Sequence, residues 1–275
     1  MGKAPFQFKQ FTVAQDRCAA KIGTDGVLLG AWTSIDHDPA SILDIGTGTG
    51  IIALMLAQRC FAETIDALEL DDDAYEQATE NFENSDWGDR LFCYHAHLYE
   101  FATEIEDTYD LITSNPPFYE APSLPSTSLP KGESMTDARK KARFEDAMPF
   151  ELLIGAVAKL LSETGKFNVV IPYQREEAFI ALAAQAHLFP NRVTHVKGTP
   201  ETPIKRSLLE FTRLSQLEHE IEEGIIRFPA YRTGRREPAS PADRSVLPKE
   251  LIIEHGRHEY TEAYIALVKD FYLKM

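Results

Sequence analysis

The sequence alternates short apolar runs with stretches of helical spacing, and this alternation limits the fold more than any other feature. Residues 41–45 form an apolar run that ends at the glycine-rich loop 46–50, and residues 51–58 then have the spacing of an apolar helix. Further strands are predicted at 64–70, 91–95, 110–114, 166–171, 192–197 and 207–213, with helices at 72–82 and 150–161. Such alternation is typical of a mostly parallel sheet with helices on both faces. We therefore predict a doubly wound α/β fold with a seven-stranded sheet.

The chain of 275 residues is predicted to form a single domain, residues 1–275. Residues 1–35 precede the first strand of the core, residues 36–213 form the α/β core, and residues 214–275 form a C-terminal extension. The extension is predicted to end in a helix from Tyr260 to Tyr272. Its apolar residues have helical spacing and are predicted to pack on the sheet: Tyr264, Leu267, Val268 and Phe271.

Composition predicts a soluble, cytoplasmic protein without a membrane span. Hydrophobic residues make up 44% and charged residues 26%, and residues 1–6 lack the apolar region of a secretory signal. Cys18, Cys60 and Cys93 are widely spaced without a CxxC pair, so neither a disulfide framework nor a metal site is predicted. The net charge of −15 argues against a generally basic surface for nucleic acid, but it allows local basic sites.

The motif Asn115-Pro116-Pro117-Phe118 follows the predicted strand 110–114. An asparagine amide oxygen and a nearby backbone carbonyl can hold the two N–H bonds of a planar amine, and the prolines keep that carbonyl free and rigid. The aromatic ring offers a stacking face that contributes ~1–3 kcal/mol per base. Ligands of parallel sheets bind at the carboxyl ends of strands, so this motif and the glycine-rich loop share one rim. Together they indicate methyl transfer to a planar amide-like or aromatic nitrogen.

The glycine-rich loop follows Asp44 and places Gly46, Gly48 and Gly50 in the spacing G-x-G-x-G. A dinucleotide fingerprint has the different spacing G-x-G-x-x-G. The loop resembles motif I of the S-adenosylmethionine-dependent methyltransferases. This resemblance implies a Rossmann-like class I methyltransferase that binds S-adenosylmethionine, and glycine permits the close approach of backbone and cofactor.

Three residues at or just after the ends of the next two strands are candidates to bind the ribose and adenine of the cofactor. Glu69 ends the second predicted strand, where a carboxylate can accept both hydroxyls of a ribose, and Asp71 is the competing assignment. His97 lies where the family pattern usually has an aspartate for the adenine amino group. Its neutral ring nitrogen could accept that hydrogen bond, but a surface-loop histidine is the alternative.

Two end segments carry a more specific resemblance. The segments 6–11, 16–18 and 21–32, together with 260–264 and 271–273, resemble the bacterial tRNA1(Val) adenine-37 N6-methyltransferases. This resemblance implies a tRNA partner, with in-line transfer from the cofactor to N6 of an adenine in the anticodon loop. We expect this reaction to need neither a metal nor a covalent enzyme intermediate.

The same resemblance makes residues 1–35 a cap over the cofactor and puts Lys21, Thr24, Asp25 and Gly26 near its methionine end. Lys21 could pair with the methionine carboxylate, and Thr24 or Asp25 could cap a helix whose N-terminus faces the site. The alternative is that these residues only begin a helix from Gly26 to Trp32.

Two basic clusters are candidates for RNA phosphate contacts. The first is Lys131, Arg139, Lys140, Lys141 and Arg143, and the second is Arg232, Arg235, Arg236 and Arg244. Taken alone, each cluster is also consistent with an ordinary solvated surface.

Three other functions compete with this interpretation. Glutamine N5-methylation in a protein presents the same planar N–H groups to the motif. A DNA adenine methyltransferase is disfavoured because no separate target-recognition domain remains. A non-catalytic cofactor-binding or RNA-binding module is disfavoured because the Asn115–Phe118 motif is intact.

Overall fold

The computed structural model describes residues 4–117, 148–213 and 248–275. A two-stranded hairpin comes first and is followed by a helix: β1 (Phe6–Gln7), β2 (Thr12–Val13) and α1 (Thr24–Trp32). The alternating core begins with β3 (Ser41–Ile45), α2 (Ile51–Arg59), β4 (Thr64–Glu69), α3 (Asp72–Glu83), β5 (Leu91–His95), α4 (Leu98–Glu104) and β6 (Tyr109–Ser114).

The second half of the core resumes at residue 148. Its elements are α5 (Phe150–Leu160), β7 (Leu161–Pro172), a 3-10 turn (Tyr173–Arg175), α6 (Glu176–Gln185), β8 (Leu188–Lys197) and β9 (Arg206–Arg213). The last elements are β10 (Lys249–Ile252), β11 (Glu254–Gly256), β12 (Glu259–Tyr260) and α7 (Glu262–Val268). In the described ranges, every helix is too short or too polar to cross a bilayer.

The central sheet of the described chain has eight strands in the order β10-β8-β9-β7-β6-β3-β4-β5. Strand β9 is antiparallel to both of its neighbours, and the other neighbouring pairs are parallel. The predicted mostly parallel, doubly wound sheet is therefore confirmed. Strands β3 and β6, which precede the glycine-rich loop and the Asn115 motif, are direct neighbours. Both motifs consequently leave the sheet at the same rim.

The predicted number of seven strands is wrong, because β10 adds an eighth. It pairs in parallel with β8, from Lys249 opposite Thr194 to Ile252 opposite Lys197. Its four residues begin with two exposed charged side chains, so the sequence lacks a clear strand pattern there. The last helix is also shorter than predicted. Thr261 caps its start by accepting a hydrogen bond from the Tyr264 N–H at 3.1 Å.

Two hydrophobic layers enclose the sheet. Alternate residues of each strand point to opposite faces, so Ile42 packs towards α1, α2 and α7, while Leu43 packs towards α4, α5 and α6. Burial on both faces explains why these strands read as nearly continuous apolar runs. The predicted packing of the last helix is confirmed, since Tyr264, Val268 and Phe271 are 4%, 0% and 2% exposed.

The hairpin before α1 packs on the residues that follow α7. The Lys9 N–H donates to the Phe271 carbonyl at 2.8 Å. The Phe8 ring stacks on Tyr272, with 5.7 Å between ring centroids. Residues from the two ends of the fold therefore support one another on the α1 side of the sheet.

Candidate active site

The glycine-rich loop joins β3 to α2 in a backbone conformation that favours glycine. Gly46, Gly48 and Gly50 have φ angles of 71°, 57° and 79°. A Cβ atom at Gly50 would lie 2.5 Å from Cε1 of Phe82, so this glycine also allows α3 to pack closely. A Cβ atom at Gly48 would meet no other described atom within 4 Å. The middle of the loop therefore faces open space, where a ligand can approach the backbone.

Asp44 lies beneath this loop and is fully buried. Its carboxylate accepts hydrogen bonds from the hydroxyls of Thr47, at 2.6 Å, and Thr113, at 3.0 Å. Burial raises the pKa of Asp44 to about 6, although these hydrogen bonds partly oppose the shift. Asp44, the cofactor-site candidate that precedes the loop, therefore has no exposed atom in this structure. It ties the loop to β6, the strand that ends at Asn115.

Glu69 and Asp71, the two candidate ribose ligands, have different surroundings. One Glu69 oxygen accepts from the Gly48 N–H at 2.8 Å, and the other accepts from the N–H groups of Leu70 and Asp71 at 2.8 and 3.0 Å. Asp71 is the N-cap of α3, and its side chain accepts from the Ala74 N–H at 2.9 Å. The structure thus places Glu69 against the glycine-rich loop and uses Asp71 to begin a helix.

His97 is the N-cap of α4, and its Nδ1 accepts a hydrogen bond from the Tyr99 N–H at 3.1 Å. A neutral imidazole with an accepting Nδ1 carries its proton on Nε2. Nε2 is then a donor, and the accepting nitrogen that the sequence prediction assigned to the adenine amino group is bound to the Tyr99 N–H in this structure. The Nε2–H group suits an accepting ring nitrogen of adenine.

The segment before α1 lies against the loop and α3. The Asn81 side chain binds the backbone N–H and carbonyl of Ala14, at 2.8 and 2.9 Å, and also donates to the Thr49 carbonyl at 2.9 Å. The Lys21 ammonium donates to the carbonyls of Gln15, at 2.6 Å, and Cys18. In this structure Lys21 therefore stabilises the segment itself, whereas the sequence predicted a partner in the cofactor.

Helix α1 begins directly after Gly23, and no side chain caps its N-terminus. The predicted capping role of Thr24 or Asp25 is therefore wrong. Both residues lie inside the first turn, and the Asp25 carboxylate accepts from Nε of Arg206 at 2.7 Å. This ion pair joins α1 to the start of β9.

Gly26 brings the first turn of α1 close to Asn115. A Cβ atom there would lie 3.3 Å from Cγ2 of Ile51, the first residue of α2, and 3.9 Å from Nδ2 of Asn115. Three elements therefore meet at this point: the start of α1, the end of the glycine-rich loop and the end of β6.

Asn115 is the first residue after β6, and its side chain is half-buried. Pro116, which follows, is buried, and Pro117 is exposed. The strand end is fixed by Ser114, whose hydroxyl donates to the Ile45 carbonyl at 2.9 Å. Among the described residues, the Asn115 side chain makes no hydrogen bond, so its amide is available to a substrate.

Several predicted site residues lie outside the described residues. They are Phe118 and the basic residues Lys131, Arg139, Lys140, Lys141, Arg143, Arg232, Arg235, Arg236 and Arg244. Sequence reasoning missed Thr47, Thr113 and Arg206, which hold the predicted site residues in place. The two threonines lie within three residues of Asp44 and Asn115, and that proximity is a usable signal. Arg206 offers no local signal, because its partner Asp25 is distant in sequence.

Comparison with known proteins agrees with this geometry. The family described as "Methyltransferase small domain" matches residues 26–127. A tRNA1(Val) (adenine(37)-N6)-methyltransferase of Flavobacterium psychrophilum is 54% identical over 98% of this chain and 100% of that protein. Its counterpart in Christiangramia forsetii is 50% identical over the full length of both chains.

A solved structure supports the fold alone. A protein of Agrobacterium tumefaciens, described as a predicted O-methyltransferase, is similar with a TM-score of 0.57 and 17% identity over 90% of this chain and 96% of that chain. The motifs, their geometry and the full-length relatives agree. This chain belongs to the family of the tRNA1(Val) (adenine(37)-N6)-methyltransferases.

Proposed function

We propose that this protein transfers the methyl group of S-adenosylmethionine to N6 of an adenine in tRNA, namely adenine 37 in the anticodon loop of tRNA1(Val). The observation that carries the proposal is the position of Asn115. Its side-chain amide is unpaired among the described residues and lies beside the first turn of α1 and the end of the glycine-rich loop. A tRNA substrate also favours a cytoplasmic location.

The described residues fit S-adenosylmethionine, which supplies an activated methyl group when it is bound. The open face of Gly48 lets a ligand approach the loop backbone. One Glu69 oxygen has accepted a single hydrogen bond and can take a ribose hydroxyl. To bind the second hydroxyl, the other oxygen has to release the N–H of Leu70 or Asp71.

The first turn of α1 and the segment before it would cover the methionine end. The N–H groups after Gly23 have no side-chain cap, and a helix N-terminus favours a carboxylate. Pairing of Asp25 with Arg206 balances the negative charge that Asp25 would otherwise place next to that carboxylate. The hydrogen bonds of Asn81 with Ala14 and Thr49 hold this segment against the glycine-rich loop.

Asn115 and Pro116 would orient the amine. The Asn115 amide oxygen accepts one N6–H bond, and the Pro116 carbonyl accepts the other. Two directed acceptors draw the nitrogen towards tetrahedral geometry, so its lone pair points at the methyl carbon. Methylation leaves one surplus proton on N6, which passes to solvent. Catalysis then rests on positioning and needs no nucleophilic side chain.

Target adenines must leave the base stack to reach this rim. An unpaired loop nucleotide does so at lower cost than a base in a duplex, and this favours a tRNA loop as substrate. A glutamine side chain in a protein offers the same planar N–H groups. Glutamine methylation is therefore the competing function, and an experiment must distinguish it from tRNA methylation.

The decisive experiment is transfer of labelled methyl to unmodified tRNA, followed by digestion to nucleosides. We expect label in N6-methyladenosine with the native protein and a loss of at least about 100-fold in turnover with Asn115→Ala, because each lost positioning contact costs several kcal/mol. Asn115→Asp keeps acceptor oxygens and should retain part of the activity. Asn84→Ala changes an exposed asparagine at the end of α3 and should have no effect.

Affinity for S-adenosylmethionine should be similar in all four proteins. Full turnover in Asn115→Ala would refute the assigned role of Asn115. Label in glutamine of a protein fraction, with none in RNA, would replace the proposed function with the rival.

A further inference from the structure

A second group of side chains lies one strand away from Asn115 on the same rim. Strands β6 and β7 run in parallel with Ser114 opposite Val169, so Asn115 is level with Val170, and Tyr173 lies three residues further along β7, roughly 10 Å beyond that level. Asn115 follows β6, and Tyr173 follows β7 as the first residue of the 3-10 turn. Tyr173 is 38% exposed.

Contacts with neighbouring residues fix the position of Tyr173. The ring meets His195 edge-on, with 5.0 Å between centroids and 77° between planes. Glu176 holds His195 at 2.9 Å and also accepts a hydrogen bond from the Ser207 hydroxyl. The Tyr173 N–H donates to the Lys205 carbonyl at 3.1 Å. A partly buried polar network thus supports an aromatic side chain that is itself exposed to solvent.

Two cationic residues adjoin Tyr173 through the backbone. Arg175 lies in the same turn, with its guanidinium 5.3 Å from the centroid of Phe150, and Lys205 immediately precedes β9. Both side chains are exposed, and within the described ranges neither forms an ion pair with a carboxylate. Exposed cations without acidic partners are suited to phosphate, and their place beside an aromatic ring is typical of sites for single-stranded nucleic acid.

We propose that Tyr173, Arg175 and Lys205 bind the RNA nucleotide adjacent to the methylated adenine, with its base stacked on Tyr173 and its phosphates contacted by the two cations. This inference rests on the proposed function. It adds a nucleotide-binding site outside the sequence-predicted basic clusters. Base stacking on Tyr173 would fix the neighbouring nucleotide while the target base turns towards Asn115.

The test compares Tyr173→Ala and Tyr173→Phe with the native protein. Loss of the ring should raise the KM for tRNA roughly 5- to 100-fold, and the phenylalanine variant should remain near native, since it keeps the stacking face. Affinity for S-adenosylmethionine and the melting temperature should stay unchanged. Phe61→Ala removes a 96% exposed ring near the opposite edge of the sheet and is the matched control.

The charge contribution is tested by direct tRNA binding at several salt concentrations. Arg175→Gln with Lys205→Gln should lower the slope of log affinity against log salt by about 1–2, because each lost phosphate contact removes about one counterion release. Lys159→Gln, at the end of α5 towards the opposite edge, is the control.

Unchanged KM and tRNA affinity in both sets of variants would overturn the inference. If the native protein still methylates tRNA in that case, the proposed function stands. If the native protein neither binds nor methylates tRNA, the proposed function fails and this inference fails with it.

Discussion

Thr113 lies directly opposite Asp44 in the sheet, and its hydroxyl donates to the buried carboxylate at 3.0 Å. Asp44 precedes the glycine-rich loop, and Thr113 lies two residues before Asn115. Thr47 binds the other carboxylate oxygen, so the Asp44 side chain connects the loop with β6. Any change in the charge of Asp44 should therefore affect both halves of the site.

Stability should depend on pH through Asp44. Burial raises its folded-state pKa to about 6 from an ordinary value of 3.8. The stability contributed by the protonated form is complete below about pH 3.8 and is lost as the pH rises through about 6. Asp44→Asn lacks this titration, so the native protein should lose up to about 3 kcal/mol relative to the variant between pH 4 and pH 7. Unfolding in denaturant at several pH values measures this difference, and a constant difference would contradict the prediction.

Glu69 and Asp71 should be separable by mutation. Glu69→Gln removes a charged acceptor beside the loop, and we expect affinity for S-adenosylmethionine to fall about 10- to 100-fold. Asp71→Ala removes the cap of α3, which should cost about 1 kcal/mol in stability with little change in cofactor affinity. Calorimetric binding and thermal unfolding of both variants provide the measurements. The reverse pattern would assign the ribose to Asp71.

Two glycines should respond oppositely to alanine. Gly50→Ala meets both a φ angle of 79° and the Phe82 ring, and it should destabilise the protein by roughly 2–4 kcal/mol and abolish tight cofactor binding. Gly155→Ala lies in α5 with open space around its Cβ position and should stabilise by roughly 0.5–1 kcal/mol. Denaturant unfolding tests both. Equal stabilities of Gly50→Ala and the native protein would show that the loop tolerates a side chain at this position.

Cys18 should report on opening of the segment before α1. It is 2% exposed, and burial, together with the nearby negative charge of Glu69, raises the pKa of its thiol to about 11. Alkylation at pH 8 should therefore be slow, and S-adenosylmethionine should slow it further if the segment covers the cofactor. Peptide mass spectrometry can compare Cys18 with Cys60, which is buried at the end of α2. Equal slowing of both thiols would indicate general stabilisation and contradict a covering segment.

The main strands could be predicted because they are apolar runs, and distinctive motifs follow two of them, β3 and β6. The positions of the glycine-rich loop and Asn115 on one rim followed from parallel topology alone. Strand β10 was missed because its four residues carry too little pattern, and pairing with the distant β8 stabilises it. Local sequence describes a strand poorly when the neighbour supplies most of its stability.

Side-chain partners within the site were harder to predict than its location. Asp25 faces Arg206, and Lys21 turns to nearby carbonyls, because both depend on how distant or irregular segments pack. A row of polar side chains across five strands was also not predictable from local sequence. Asp44, Thr113, Asn168, Glu210 and Arg192 are successive cross-strand neighbours, although they are widely separated in sequence.

The contact of Phe8 with Tyr272, and of Lys9 with Phe271, has a consequence for synthesis of the protein. During translation, the glycine-rich loop and Asn115 are synthesised long before residues 271 and 272 leave the ribosome. Until those residues emerge, the hairpin that leads into the cap lacks its support. Cofactor-binding competence should therefore arrive only when translation is nearly finished, and chains truncated before residue 271 should bind S-adenosylmethionine weakly.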